Sequence, residues 1–113
     1  MWALIGVYLA REDNIFWRRG DQGHLSPAGA KVLFAGDVAS LPPDAIHSVT
    51  NPLQSFTVAL HIYGGDLFQT PRSQWDPATL REERSDGDVI RAMFEEENAR
   101  FLARTRCEGA TGA

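Results

Sequence analysis

The chain has 113 residues, 43% of them hydrophobic, so it has room for one domain with a single core. Its net charge of -4 and pI of about 5.2 exclude a strongly basic face for phosphates, and we expect no nucleic-acid partner. The single cysteine, Cys107, excludes an internal disulfide and favours a cytoplasmic location.

The opening residues "MWALIGVYLA" predict a buried strand. They carry no charge, but they are about half the length that a bilayer-spanning helix needs. They also lack the basic lead and the small-residue cleavage site of a signal peptide. We therefore expect no membrane partner. A chain that opens directly in a core strand also indicates that part of its domain precedes residue 1.

Three further segments have strand-like composition or alternation: residues 14–19, 30–36 and 54–64. In the last segment, alternate residues fall on two faces: Phe56, Val58, Leu60 and Ile62 on one, and Thr57, Ala59, His61 and Tyr63 on the other. Turn residues in "GDQG", "SPAG", "LPPD" and "TNP" separate the strands. His47 and His61 flank a segment that we predict to be a β-hairpin.

The C-terminal part of the chain has a different composition. Residues 69–85 are polar and contain two prolines, which predicts an irregular segment with a short helix after the second proline. Residues 86–106 have apolar side chains at helical spacing, which predicts a packing helix with Asp86 or Ser85 as its N-cap. Residues 107–113 are expected to form a flexible tail. The predicted fold class is therefore mainly β with a C-terminal α-helix.

One motif is typical of a site for chemistry. In "GDVASLPPDAIHSVTN", Gly36 is followed at fixed spacing by Pro42, Asp44, His47 and Asn51. This spacing resembles the second conserved motif of the cupins, although Asp44 stands where glycine is usual. In that motif a tight turn places the histidine on a strand that faces the barrel interior, where a neutral imidazole can bind a metal.

A longer stretch resembles a narrower group. The segment "IHSVTNPLQSFTVALHIYGGDL", followed by "WDP", is similar to the C-terminal half of the cysteine dioxygenase-like cupins. The opening "MWALIGVYLAREDNIFWRRG" resembles the strand that follows the His-x-His metal motif of that family. The resemblance extends to about Phe101 and implies a cupin double-stranded β-helix, or jelly-roll, in residues 1–68. It also implies an incomplete N-terminus, because the chain contains no His-x-His and that motif would precede Met1.

The resemblance implies a non-haem iron oxidoreductase that oxidises a small thiol to its sulfinate with O2. His47 would be the third histidine that binds Fe(II) or another divalent metal, and His61 and Tyr63 would be the catalytic pair that lines the pocket. Two departures argue for a thiol dioxygenase of altered specificity or for a relative with another small substrate. Ala59 stands where a serine holds the pocket histidine in the family, and the cysteine that cross-links to the pocket tyrosine in some members has no counterpart.

Other interpretations stay open. The chain could be a non-catalytic cupin-fold module for binding or assembly, a remnant without metal, which forms homo-oligomers through exposed strand edges. A cupin isomerase or sugar-binding cupin is disfavoured by the ending "HIYGGD". His47 could also be structural, and His61 and Tyr63 an ordinary inward-facing pair. His24 is expected in a solvated loop, and we expect Arg18 and Arg19 to be surface charges.

Overall fold

A computed structural model describes the backbone of residues 1–111 and the side chains of residues 1–107. Within this part the chain is mainly β, with antiparallel strand pairs followed by one helix. The elements are β1 (Trp2–Leu9), β2 (Arg11–Arg19), a helical turn (Asp21–Gly23), β3 (Leu25–Phe34), β4 (Val38–Leu41), β5 (Ile46–Thr50), β6 (Val58–Gly64), β7 (Ser73–Trp75), β8 (Glu82–Arg84) and α1 (Gly87–Thr111).

The chain divides into two compact units. The first unit contains Met1–Thr70 and Pro77–Leu80, and the second contains Pro71–Asp76 and the residues from Arg81 onward. The first unit holds two three-stranded sheets, in the orders β4-β1-β6 and β3-β2-β5. The two central strands, β1 and β2, are therefore consecutive in the sequence but belong to different sheets.

Ala10 is the residue at which the chain passes from one sheet to the other. Its backbone has a φ of 67°, in the left-handed region that is unfavourable for a residue with a Cβ. The carbonyl oxygen of Ala10 accepts a hydrogen bond of 3.0 Å from the N–H of Ala35. This bond fixes the corner between β1 and β2 against the end of β3.

The core of the first unit lies between the two sheets. Its buried side chains are Ile5, Val7, Leu33, Ala39 and Leu41, and Ala3, Phe16, Ala45 and Ala59 pack against them. Alternate residues of each strand point inward, so β1 contributes Ile5 and Val7 from the same face. The prediction of a strand at the opening residues is confirmed, but only its inward face is buried: Ile5 is 1% exposed, whereas Tyr8 is 79% exposed.

The predicted turn at "SPAG" is wrong, because these residues lie within β3. The register shifts opposite them: Phe16 pairs with Gly29, whereas Trp17 pairs with Pro27. Ala28 is therefore the extra residue of a β-bulge. Proline is tolerated here because β3 is an edge strand, so the missing N–H of Pro27 does not interrupt the pairing with a second neighbouring strand.

The predicted hairpin around the two histidines is also wrong. β5 pairs with β2 and β6 pairs with β1, so the two strands belong to different sheets. The connecting loop is held by Asn51, whose side chain donates to the carbonyl oxygen of Ser55 at 2.8 Å and accepts from the N–H of Leu53 at 2.9 Å. His47 and His61 consequently approach the core from opposite sheets.

The second unit differs from the predicted irregular segment. β7 and β8 pair antiparallel, with Ser73 opposite Arg84 and Trp75 opposite Glu82. The short helix expected after the second proline is absent: residues 77–80, which belong to the first unit, contain a turn instead. Each of the two strands has only three residues, too few to give a clear alternation in the sequence.

Helix α1 begins as predicted and extends further. Asp86 is its N-cap, because the side-chain Oδ1 accepts from the N–H of Asp88 at 2.9 Å. The helix continues through Thr111, so much of the predicted tail at 107–113 is helical, and residues 112–113 lie outside the described part. The predicted packing face is not buried, since Met93 and Phe94 remain more than half exposed. In the described part of the chain, no helix combines the length and the apolar character that are needed to span a membrane.

Candidate functional site

His47 lies on β5 and points into the space between the two sheets of the first unit. A turn precedes the strand, in which the N–H of Ala45 donates to the carbonyl oxygen of Pro42 at 3.0 Å. The imidazole ring stacks on Phe16 with 6.3 Å between ring centroids. Its Nδ1 atom lies 3.0 Å from the Oδ1 atom of Asn14 on β2. The histidine of the motif is thus held by one aromatic and one polar contact.

Asn14 and Glu12 form the polar part of the core. They are two residues apart on β2, so their side chains share the inward face. Asn14 is 2% exposed and Glu12 is 4% exposed. The Nδ2 atom of Asn14 donates a 3.0 Å hydrogen bond to Oε1 of Glu12. A buried carboxylate is costly unless it is hydrogen-bonded, and Asn14 supplies a bond to it.

His61 approaches the same carboxylate from the opposite sheet. Its Nε2 atom is 4.0 Å from Oε2 of Glu12, and its side chain is 33% exposed. On β6 it is followed two residues later by Tyr63, with 6.4 Å between the ring centroids. The side chains of His47, Asn14, Glu12 and His61 thus form a continuous series, which we call the polar line.

The electrostatic environment favours a neutral His47. Burial lowers the pKa of the His47 imidazole, and the charge of His61 lowers it further. The carboxylate of Glu12 acts in the opposite direction but with a smaller effect on this pKa. A neutral imidazole keeps one ring nitrogen with a lone pair, which is the form that can accept a proton or bind a metal.

Glu12 and Asn14 were missed as site residues by the sequence interpretation. The predicted strand began at residue 14, whereas β2 begins at Arg11. With the strand extended, Glu12, Asn14 and Phe16 alternate on one face, which is the signal that could have identified them. This alternation is difficult to recognise because the charged residues "RED" that begin the strand have a composition typical of a loop.

The remaining candidate residues are at the surface. His24 is exposed and follows the helical turn between β2 and β3. Arg18 and Arg19 are exposed at the end of β2. These positions agree with the expected loop histidine and surface charges. The charged residue that is buried in the described part of the chain is Glu12.

The surroundings of His47 are those that a metal-binding histidine often has. In metal-bound histidines the second ring nitrogen commonly donates to a carbonyl or carboxylate, and Nδ1 of His47 faces Asn14 Oδ1 in a similar way. Across residues 1–107, however, no group of three or more His, Cys, Asp or Glu side chains is arranged to hold a metal ion. The assignment of His47 as a metal ligand therefore stays a prediction.

Comparison of the chain with family models, curated proteins and solved structures found no match. A function must therefore be argued from the residues and from the geometry of the polar line.

Proposed function

We propose that this chain carries part of the small-molecule site of a cysteine dioxygenase-like cupin, a cytoplasmic non-haem iron oxidoreductase that oxidises a small thiol with O2. The observation that carries the proposal is the convergence of two histidines from opposite sheets on one buried carboxylate. His47 and His61 are 14 positions apart, yet His47 is linked to Glu12 through Asn14, and Nε2 of His61 lies 4.0 Å from the same carboxylate. The same two histidines are the ones to which the resemblance assigns the roles of metal ligand and pocket histidine.

The cost of burying these groups supports a functional role. A core of this size would be more stable with apolar side chains in place of Glu12 and Asn14, because burying a charge requires compensating bonds. Stability alone therefore gives no reason for a carboxylate and a histidine at the same inward face. Ionisable groups that are held in an interior at such a cost are typical of sites for binding or catalysis.

Each residue of the site has a proposed role. His47 would bind Fe(II) through Nε2, since its Nδ1 atom is engaged by Asn14. The partly exposed His61 would exchange protons with the substrate. The phenol of Tyr63 would donate a hydrogen bond to the bound substrate. Iron, when bound, supplies the redox chemistry that joins both atoms of O2 to the thiol sulfur as a sulfinate.

Iron binding and product analysis test this proposal. The protein is incubated with Fe(II) without oxygen, and bound iron is measured after gel filtration. We expect more iron on the wild type than on His47→Ala, while His24→Ala, which removes an exposed loop histidine, retains the wild-type amount. A product with two added oxygen atoms after aerobic incubation with cysteine or cysteamine would show in addition that this part of the site suffices for the reaction. Equal iron on all three proteins would contradict the proposal.

The second candidate is an assembly module without metal. It is favoured by apolar side chains on the outer face of the β4-β1-β6 sheet, where Leu60 is 65% exposed and Ile62 is 48% exposed. Leu4, the partner of Ile62 in the register, lies on the same outer face. β6 is also an edge strand with an unpaired side. Such a surface favours homo-oligomers, which this candidate requires.

Light scattering after gel filtration distinguishes the second candidate. It predicts a mass above that of one 12.5 kDa chain at micromolar concentration. The double variant Leu60→Lys and Ile62→Lys, which charges the outer face, should return the mass to that of a monomer. A wild-type monomer at all concentrations would contradict assembly through this face.

A further inference from the structure

We infer that Glu12 and Asn14 are positioning residues that select the Nδ1-protonated tautomer of His47 and so present its Nε2 lone pair to a ligand. The selection follows from the direction of the hydrogen bonds along the polar line. It rests on the proposed function only for the identity of the ligand.

Glu12 sets the direction of the first bond. Its Oε1 atom accepts a hydrogen bond of 3.0 Å from the amide nitrogen of Asn14. This fixes the side chain of Asn14 in one of its two orientations. Its oxygen, which only accepts, is thereby turned toward His47.

Asn14 then sets the tautomer of His47. Because Oδ1 of Asn14 can only accept, the Nδ1 atom of His47 must carry the proton that joins them at 3.0 Å. In the neutral ring the other nitrogen, Nε2, is then unprotonated. A free imidazole in water exchanges between both tautomers. The two hydrogen bonds from Glu12 through Asn14 to His47 therefore select the Nδ1-protonated tautomer from that mixture.

Glu12 also lies near the second histidine. Ala59 stands where a serine would hold the ring of His61, and an alanine side chain offers no hydrogen bond. Oε2 of Glu12 lies 4.0 Å from Nε2 of His61, which is too far for a hydrogen bond and attracts the ring only when the ring is protonated. The hydrogen-bonded effect of Glu12 is therefore confined to Asn14 and His47.

The test is the tautomer of His47 in metal-free, 15N-labelled protein, read from long-range proton–nitrogen correlations of the imidazole rings. The pH is held at about 8, above the usual histidine pKa, so that the rings are neutral. The wild type is expected to show a protonated Nδ1 and an unprotonated Nε2 for His47. The exposed His24 gives the averaged signals of a mixture and serves as the internal reference.

Glu12→Gln is the decisive variant because it keeps the size of the side chain but introduces a group that both donates and accepts. Asn14 can then turn over, and we expect the His47 signals to move toward those of His24. Asp13→Asn, the same kind of change at the next residue of β2, should leave them at the wild-type position.

A protonated Nε2 on His47 in the wild type would overturn the inference, and so would Glu12→Gln signals identical to the wild type. The wild-type spectrum decides the matter even where a variant fails to fold. The proposed function fails separately, because a protein with the expected tautomer that neither binds iron nor forms sulfinate refutes only the oxidoreductase.

Discussion

The two central strands of the first unit contribute different chemistry to the same core. β1 contributes the apolar residues Ile5 and Val7. β2 contributes Glu12 and Asn14, which are buried to a similar degree. The apolar side chains stabilise the fold by removing hydrophobic surface from water, whereas burial of the polar pair lowers that stability and places groups in the core that can bind or react.

This comparison predicts that apolar truncation has the largest effect on stability. Ile5→Ala should lower the free energy of unfolding by about 3 kcal/mol, because it removes a buried side chain and leaves a cavity. Ile62→Ala makes the same chemical change on the outer face of the same sheet, where the side chain is half exposed. It should cost no more than about 1 kcal/mol. Urea denaturation of both variants is the measurement, and equal losses would show that the core is not where we place it.

Removal of one polar partner should have the next largest effect. Asn14→Ala leaves the carboxylate of Glu12 buried without its amide donor, which should cost about 2 kcal/mol. Asn98→Ala, at an exposed position of α1, is the matched control and should change the free energy of unfolding by less than about 0.5 kcal/mol. If Asn14→Ala is as mild as the control, Glu12 is not buried with Asn14 as its donor.

Acid should weaken the fold through His47. Its pKa is lowered in the folded protein by burial, from an ordinary value of 6.5, so the unfolded chain binds a proton more readily. Stability attributable to this group is therefore full above pH 6.5 and is lost as the pH falls toward the lowered pKa. In metal-free buffer, the stability of the wild type relative to His47→Gln should decline over that window. A difference that stays constant, or grows as the pH falls, would contradict the lowered pKa.

The corner between the sheets gives the smallest effect. Ala10 has a positive φ, so Ala10→Gly should relieve strain of about 1 kcal/mol and lose part of that gain to the entropy of the unfolded chain. The net gain should be about 0.5 kcal/mol, measured by thermal unfolding. Ala28→Gly, at the bulge of β3, has no such strain to relieve and should be slightly destabilising. A loss at Ala10 would mean that its Cβ contributes more by packing than it costs in strain.

Much of the apolar side of the core can be predicted from the sequence, and little of the polar side. The uncharged run "MWALIGVYLA" predicts a buried strand, although it does not show which of its two faces, that of Ile5 and Val7 or that of Leu4 and Tyr8, is turned inward. The inward position of His47 is expected from the resemblance to the cupin motif, in which a turn places the histidine on an inward-facing strand. Glu12 cannot be found in the same way, because a charged residue is usually exposed and only its pairing with Asn14 permits burial.

The error about the hairpin has a different physical origin. A loop with turn residues between two strands has a similar composition whether the strands pair with each other or join different sheets. β5 and β6 are separated because each completes a sheet around its own central strand, β2 or β1. That choice depends on packing between distant segments, which local patterns do not contain. The convergence of His47 and His61 on one carboxylate is a product of this long-range arrangement.

The hydrogen bond between Asn14 and Glu12 makes these two residues one unit of the core. A double-mutant cycle of Glu12→Ala and Asn14→Ala, measured by urea denaturation, tests whether their contributions to stability are coupled. We predict that the double variant is more stable than the sum of the single losses implies, with a coupling free energy of about 1 to 2 kcal/mol, because each single change leaves the other group unsatisfied. Losses that add to within about 0.3 kcal/mol would contradict the claim and remove the physical basis for the polar line.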